Sequence, residues 1–368
     1  MLRVMVRRSR DLSYLSGDRA QELDGVRFGG PGWWWRGAGD TTEASVSTRA
    51  LGGSSRSSVV GYDLVVAAPR PVSILLALDE DQAPLVVSAH RLAVAASIEY
   101  LEQRALVVRD RRGGDDRELP ARWSRVLSYT HGLNRHGEPH LHDHVIVAAR
   151  PEGVERVLES RSLFAHAAAA DSIYRAQLRH ELARTSTWIP WRSFEGVEHV
   201  EGLDEGYRSL WGGHHGERGE KLHWTREETR RNWRRDLERF QSEVMVATPP
   251  RSRGWLDEHA FGAALEGRRE VSRRHLVTAW ADAATFGVGL TELDASIDLL
   301  YPALARSRGV REGVLGLREA RMVAQVREHG PRPLGSRELV GWRQRDAATE
   351  RFRQRDADRE RSRSDRSR

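Results

Sequence analysis

Residues 123–149 read WSRVLSYTHGLNRHGEPHLHDHVIVAA, and this stretch decides what the rest of the chain can be. Two β-type runs, 123–131 and 140–149, flank the turn-like GLNRHGEP, which predicts an antiparallel hairpin. Side chains alternate faces along a strand, so His142 and His144, with Asp143 between them, project from one side. His140 joins that side if the strand starts early enough. The first run ends at His131, which a short hairpin brings opposite the pair. Three neutral imidazoles then converge on one point, an arrangement that divalent ions accept with positions left for water or substrate. A polar hairpin with solvated histidines is the plain alternative. Against it, five of the fifteen histidines fall between 131 and 144, and burying three imidazoles without a ligand demands three sets of hydrogen bonds.

The composition narrows the chemistry further. Cysteine is absent, which removes disulfides, thiolate nucleophiles and every Cys-based metal site, so any ion must be held by His, Asp or Glu. The 368 residues are enough for two domains or one large domain with appendages. With 39% hydrophobic and 30% charged residues and a mean hydropathy of -0.61, the chain reads as a soluble globular protein with polar extensions. No run approaches the roughly 18–20 apolar residues of a membrane helix, and the start, MLRVMVRRSRDL, is charged where a signal peptide is apolar. The expectation is a cytoplasmic protein without membrane insertion. Lys221 is the only lysine, so no Gly-x-x-x-x-Gly-Lys-Ser/Thr phosphate loop exists and the chain carries no P-loop motor. The net charge is +6, of which residues 343–368 hold +4 (ten Arg against six acids), so the body is not a basic DNA-coating surface.

Outward from the hairpin, the organisation is mixed and then helical. Residues 1–60 are short-period and Gly-rich, with Trp33, Trp34 and Trp35 inside GGPGWWWRGAGD. YDLVVAAPRPVSILLAL (62–78) is β-branched and interrupted by Pro69 and Pro71, as for a strand, a turn and a second element. Residues 84–106 place Val87, Leu92, Ala95, Ile98 and Leu101 at helical spacing. Residues 156–184 predict one helix or two, and 222–246 another. After Thr248-Pro249-Pro250 the pattern is wholly helical, and 343–368 cannot bury enough surface to order itself. The expected fold is α+β, a central antiparallel sheet flanked by helices over 1–245, followed by a helical domain at 250–335 and a disordered or solvated Arg-rich tail at 343–368.

The stretch HGLNRHGEPHLHDHVIVAAR resembles the metal-binding motif of the TrwC/TraI-type (MobF class) conjugative relaxases of the HUH endonuclease superfamily. That motif runs His, two or three residues, Arg, a short gap, Asp-Pro-Gln-Leu-His-Thr-His, then an apolar strand. Here His131 is the first histidine, Arg135 the arginine, Glu138-Pro139-His140-Leu141 the tetrapeptide, and His142 and His144 the pair. YDLVVAAPRPVSILLAL is similar to the family's Asp-Leu-Thr-Phe-Ser-Ala-Pro-Lys-Ser-Val-Ser strand, keeping Asp63, Pro69, Val72 and Ser73, with Arg70 for the lysine and Pro71 for a serine. His90 with EYLE (99–102) looks like the helix that follows, and WWWRGAGD resembles the Trp-Gly-Gly segment near the family's N-terminus.

The resemblance implies a site- and strand-specific nick in single-stranded or hairpin origin-of-transfer DNA, made by an N-terminal tyrosine through a 5′-phosphotyrosyl link. It initiates conjugative transfer or mobilisation of a plasmid or integrative element. Tyr14, the only tyrosine before Tyr62, stands where the first catalytic tyrosine belongs, and the paired tyrosines of many members are missing. The implied cofactor is one divalent ion (Mg, Mn, Zn or Ni) on His131, His142 and His144. Asp63 is the candidate either for helping the phenol or for orienting a ligand histidine. Arg70, Arg135 and the three tryptophans are candidate DNA contacts, the tryptophans alternatively core. An accessory helicase and a type IV coupling protein are the implied protein partners. Two other readings remain: a relaxase-like protein that binds origin DNA without cutting, and a metal hydrolase that uses water on the same histidines.

Overall fold

The computed structural model describes residues 1–12, 15, 21–23, 26–28, 31–34, 59–78, 83–110, 117–123, 126–151, 154, 156–184, 191–194, 197–200, 211, 225–238, 270–284, 287–305 and 314–316. Its centre is a five-stranded antiparallel sheet built from β1 (Leu2–Arg7), β4 (Pro31–Trp34), β5 (Gly61–Ala67), β8 (Val126–Leu133) and β9 (Pro139–Ala148), in the order β1-β5-β9-β8-β4. The expected hairpin is the β8–β9 pair. Two-stranded ribbons accompany the sheet: β2 (Gln21–Leu23) with β3 (Val26–Phe28), β6 (Val107–Asp110) with β7 (Arg117–Pro120), β10 (Trp191–Phe194) with β11 (Val197–Val200), and β12 (Glu270–Ser272) with β13 (Val314–Gly316).

One face of the sheet is apolar and closed. Leu64, Val66, Leu141, Val145 and Val147 lie on it, all buried, beneath helices α1 (Arg70–Leu78), α2 (Ala83–Arg104) and α3 (Ser160–Arg184). Pro69 ends β5, and the chain turns at once into α1, whose Ser73 hydroxyl accepts the Leu141 N–H at 3.0 Å. This bond fixes the first turn of α1 against the beginning of β9. α3 is one continuous helix, lying along α2.

The buried stripe of α2 differs from the periodicity of its leucines. Leu92 is 49% exposed, whereas Val86, His90, Val94, Ser97 and Leu101 face inward. Two polar residues occupy the inner face because each has a partner there. Ser97 donates to the Val94 carbonyl at 2.8 Å, and His90 enters the network described below.

Three more helices complete the described part. α4 (Arg226–Glu238) opens with a capping box: Glu228 N–H donates to Thr225 Oγ1, and Thr225 N–H to the Glu228 carboxylate. α5 (Arg273–Ala283) and α6 (Leu290–Ala305) belong to the helical stretch expected after 250. The chain divides by contacts into residues 1–321 and 322–368, so α5 and α6 share a unit with the sheet. The joint is intimate. Arg179 donates to the Ala281 carbonyl at 2.7 Å, Arg175 pairs with Asp282 at 2.8 Å, and Val288 N–H reaches the Ala176 carbonyl at 3.2 Å. Residues 251–269 and the tail 343–368 lie outside the described residues. Among the described residues no helix is long and apolar enough to cross a membrane.

Candidate metal centre and active site

The second face of the sheet carries the polar cluster. In β9 the odd positions Leu141, Asp143 and Val145 turn to the helices, and the even positions His140, His142 and His144 turn away, each half-buried. The register pairs His131 with His142 and Tyr129 with His144, so three of the rings gather on two adjacent strands. Their centroids stand 5.1 Å (His131–His142), 5.4 Å (His131–His144) and 5.4 Å (His142–His144) apart. One ligand nitrogen from each lies within 4.8 Å of the others.

Hydrogen bonds fix which nitrogen each ring can offer. His142 Nδ1–H donates to the His140 carbonyl at 2.8 Å, which leaves the lone pair on Nε2. His144 Nδ1–H donates to both Asp63 oxygens at 3.0 Å, again placing the lone pair on Nε2. His131 Nε2–H donates to the Leu15 carbonyl at 3.1 Å, so its lone pair sits on Nδ1. Three oriented, neutral imidazoles with partners behind them fit a divalent cation and leave its remaining positions open. Burial also pushes the His142 pKa well below its ordinary value, and His140 and His131 add to that, so His142 stays in the ligating form.

Asp63 therefore serves His144. It is buried, and its second charge partner is Arg7 at 3.8 Å. Of the two roles expected for Asp63, the geometry favours orienting a ligand histidine. Arg7 also donates to the Asp11 carbonyl at 2.5 Å and so ties the segment after β1 to the same spot. Leu12 and Leu15 complete that segment's attachment by packing with Leu127, Tyr129, Ile146 and Val60.

His140 stacks on His142 with centroids 4.7 Å apart. Its pKa is lowered to about 4, first by burial and then by Arg70 and the N-terminal amine. Arg70, at the start of α1, and Arg135, in the hairpin turn, are both exposed. That turn is built by Asn134, whose Oδ1 accepts the N–H groups of His136 (2.9 Å) and Glu138 (3.0 Å), while Gly137 supplies a φ of 76°. Trp233 of α4 donates to the Gly137 carbonyl at 2.9 Å and holds the turn from outside. Trp33 and Trp34 lie on the edge strand β4, in register with Ser128 and Leu127. Trp35 and Tyr14 lie outside the described residues, although both chain neighbours of the 13–14 pair, Leu12 and Leu15, are placed.

Sequence reasoning passed over one group. On the closed face Asp143 accepts Ser128 Oγ–H at 2.5 Å and His90 Nε2–H at 3.1 Å, and His90 Nδ1 meets the Tyr174 hydroxyl at 2.7 Å. Burial opposes the Asp143 charge, but bonds from His90, Ser128 and Thr130 outweigh it and lower the pKa. The signal was present in the alternation itself, which puts Asp143 with Leu141 and Val145 rather than with the histidines.

Comparison with known proteins agrees with this architecture. A family model described as TrwC relaxase matches residues 13–240. Among solved structures, the metal-bound conjugative relaxase TrwC in complex with oriT DNA is similar at 19% identity and a TM-score of 0.52, covering 67% of this chain and all of that one. The metal-free TrwC–oriT DNA complex is similar at 17% identity and a TM-score of 0.50, with the same coverage. At these identities the likeness establishes the fold: a central antiparallel sheet flanked by helices. No curated protein sequence is a significant match.

Proposed function

The chain belongs to the TrwC relaxase family, and from that premise we propose that it nicks single-stranded DNA at one site and strand, conserving the cleaved bond as a 5′-phosphotyrosyl ester on Tyr14. The observation that carries the reading is the hydrogen bond from His131 to the Leu15 carbonyl, since the residue next to Tyr14 is thereby held against the histidine centre.

The Tyr14 oxygen attacks the scissile phosphorus. The phenol proton is lost to solvent, one O–P bond forms as the bond to the 3′ oxygen breaks, and that oxygen takes up a proton from solvent to leave as a 3′-hydroxyl. His131, His142 and His144 would hold a divalent ion, which would supply positive charge to the phosphate oxygens in the transition state. A phenol of ordinary pKa, about 10, needs its negative charge favoured by such a field. Asp63 keeps His144 in its ligating tautomer and Arg7 keeps Asp63 in place. Arg70 and Arg135, both exposed, contact DNA phosphates, and Trp33, Trp34 and Trp35 stack on unpaired bases. The substrate is the hairpin origin of a plasmid or integrative element in the cytoplasm. Strand separation is assigned to an accessory helicase, and export to a type IV coupling protein.

The test is covalent capture. Purified protein is incubated with Mn(II) or Mg(II) and labelled single-stranded oligonucleotides tiled across the DNA flanking its own gene. A denaturing gel should show a protein–DNA adduct that peptide mapping places on the N-terminal peptide. Tyr14→Phe keeps the ring and removes the nucleophilic oxygen, so it should bind the same oligonucleotide and form no adduct. Nicking by Tyr14→Phe would transfer the chemistry to water or another tyrosine. Binding without any adduct in the wild type would leave an origin-DNA-binding protein.

A further inference from the structure

Behind the three histidines, on the reverse side of the strand that carries two of them, lies a carboxylate with no exposed surface. We propose that Asp143 is a positioning residue for the metal centre, a fixed anion under β9 that raises the affinity of His131, His142 and His144 for a divalent cation. The proposal rests on the metal-centre reading above.

The charge follows from the hydrogen bonds around it. Ser128 Oγ–H donates to Asp143 Oδ2 at 2.5 Å and His90 Nε2–H to Oδ1 at 3.1 Å. With donors on both oxygens the carboxylate needs no proton of its own. One tautomer of His90 satisfies the whole chain of bonds: the proton on Nε2 goes to Asp143, and Nδ1 accepts the Tyr174 hydroxyl at 2.7 Å. In that form His90 is neutral and the network carries one negative charge. Among the described residues no arginine pairs with Asp143, whereas Asp63, the other carboxylate at the centre, shares its charge with Arg7 at 3.8 Å.

Position makes that charge effective. Asp143 is flanked in the chain by two of the ligands, and consecutive Cα atoms are 3.8 Å apart, so its carboxylate lies roughly 8–10 Å from where the ligand nitrogens meet. The intervening medium is the buried sheet rather than water, so the field is poorly screened. The motif that this segment resembles has a threonine between its two histidines, and a threonine here would fill the space without the charge. A buried anion is costly to keep; its hydrogen bonds offset that cost, and a cation bound on the other face of the same strand would offset it further.

The experiment compares the full-length wild type with Asp143→Asn, which keeps shape and most hydrogen bonds, and with Asp143→Thr, the residue of the motif. Zn(II) and Mn(II) affinities are measured by calorimetry, Co(II) absorption reports ligand geometry, and thermal unfolding reports the fold. Both variants should bind about tenfold or more weakly, with the wild-type Co(II) spectrum. A purely structural role would lower the melting temperature of the apo protein and leave affinity unchanged. Folded Asp143→Asn protein that binds within twofold of wild type overturns the proposal. If Asp143→Asn does not fold, Asp143→Thr decides by the same criterion. A wild type that takes up no metal refutes the histidine centre itself, an outcome distinct from equal binding by wild type and variant.

Discussion

Replacing Leu15 by alanine tests whether metal binding at the histidines is separable from holding the segment of the proposed nucleophile, Tyr14. Leu15 is 2% exposed and packs with Leu12, Leu127, Tyr129 and Ile146, and its carbonyl accepts from His131. Truncating a buried leucine costs about 2–5 kcal/mol, and the low end applies because this cluster is small and can partly collapse. The carbonyl bond adds only ~1 kcal/mol, so the segment's attachment depends mainly on its two leucines. A loss of about 2–3 kcal/mol in docking translates into a roughly 30–140-fold smaller docked fraction once docking is the weaker state, at about 1.4 kcal/mol per factor of ten. The assay is single-turnover adduct formation on a saturating oligonucleotide, with metal affinity measured in parallel. Adduct formation should slow by roughly 30–140-fold while metal affinity stays within a few-fold, because all three ligands belong to the β8–β9 hairpin. Adduct formation at the wild-type rate would refute the argument that Leu15 positions the nucleophile. Loss of metal binding in step with the rate would refute the separation of the two tasks.

Three further outcomes follow from the geometry. Gly287 has a φ of 81°, and a Cβ there would come within 2.1 Å of His180 N and 2.7 Å of the Ala176 carbonyl, so Gly287→Ala should cost about 3 kcal/mol or more. Calorimetry should read that as a fall of roughly 5–10 °C, and an unchanged transition would mean that α5 and α6 do not sit on α3 as described. Asp63→Ala removes both bonds to His144 Nδ1 and should weaken metal binding by about 10–100-fold in a competition titration; undiminished affinity would show that Asp63 does not orient the ligand. His166, bonded to Tyr100, has its pKa lowered to about 4 by burial first and then by Arg274, Arg273 and Arg104. The unfolded chain therefore binds a proton near 6.5 that the folded chain refuses until near 4, so stability is complete above pH 6.5 and declines as the pH falls toward 4. Allowing for partial exposure, the decline is roughly 1–2 kcal/mol, and urea midpoints at pH 4.5 and 7 should show it disappear in His166→Gln.

The hairpin was legible because its signals are local. Alternation sets which side chains share a face, and the distance from His131 to His142 across one turn sets the register. The break between a strand and a second element at Pro69 and Pro71 was readable for the same reason, although not that the second element is a helix. What the sequence concealed depends on partners far away in the chain. Leu92 keeps helical spacing yet points outward, because His90 and Ser97 take the inner face of α2 once Asp143 and Tyr174 arrive to satisfy the histidine. Arg175 and Arg179 are charged yet buried, since Asp282 and the Ala281 carbonyl meet them from α5. The Thr-Pro-Pro at 248–250 marks a change in chain texture, which carries no information about whether the helices beyond it pack back on the sheet.

The three histidines lie on either side of one tight turn, and this sets the order in which the centre is assembled. A hairpin of this kind closes in about 1–10 μs, with no need of the rest of the chain. Asp63 joins from 81 residues away and Leu15 from 116, and such long closures come later. On the ribosome the sequence of events is reversed, because Leu12 and Leu15 emerge first and the surface that receives them, ending at Ile146, comes last. At about 5–20 residues per second that interval is on the order of 10 s. For that time the newborn chain holds two uncovered leucines beside its N-terminal tyrosine, awaiting a binding site that has yet to be synthesised.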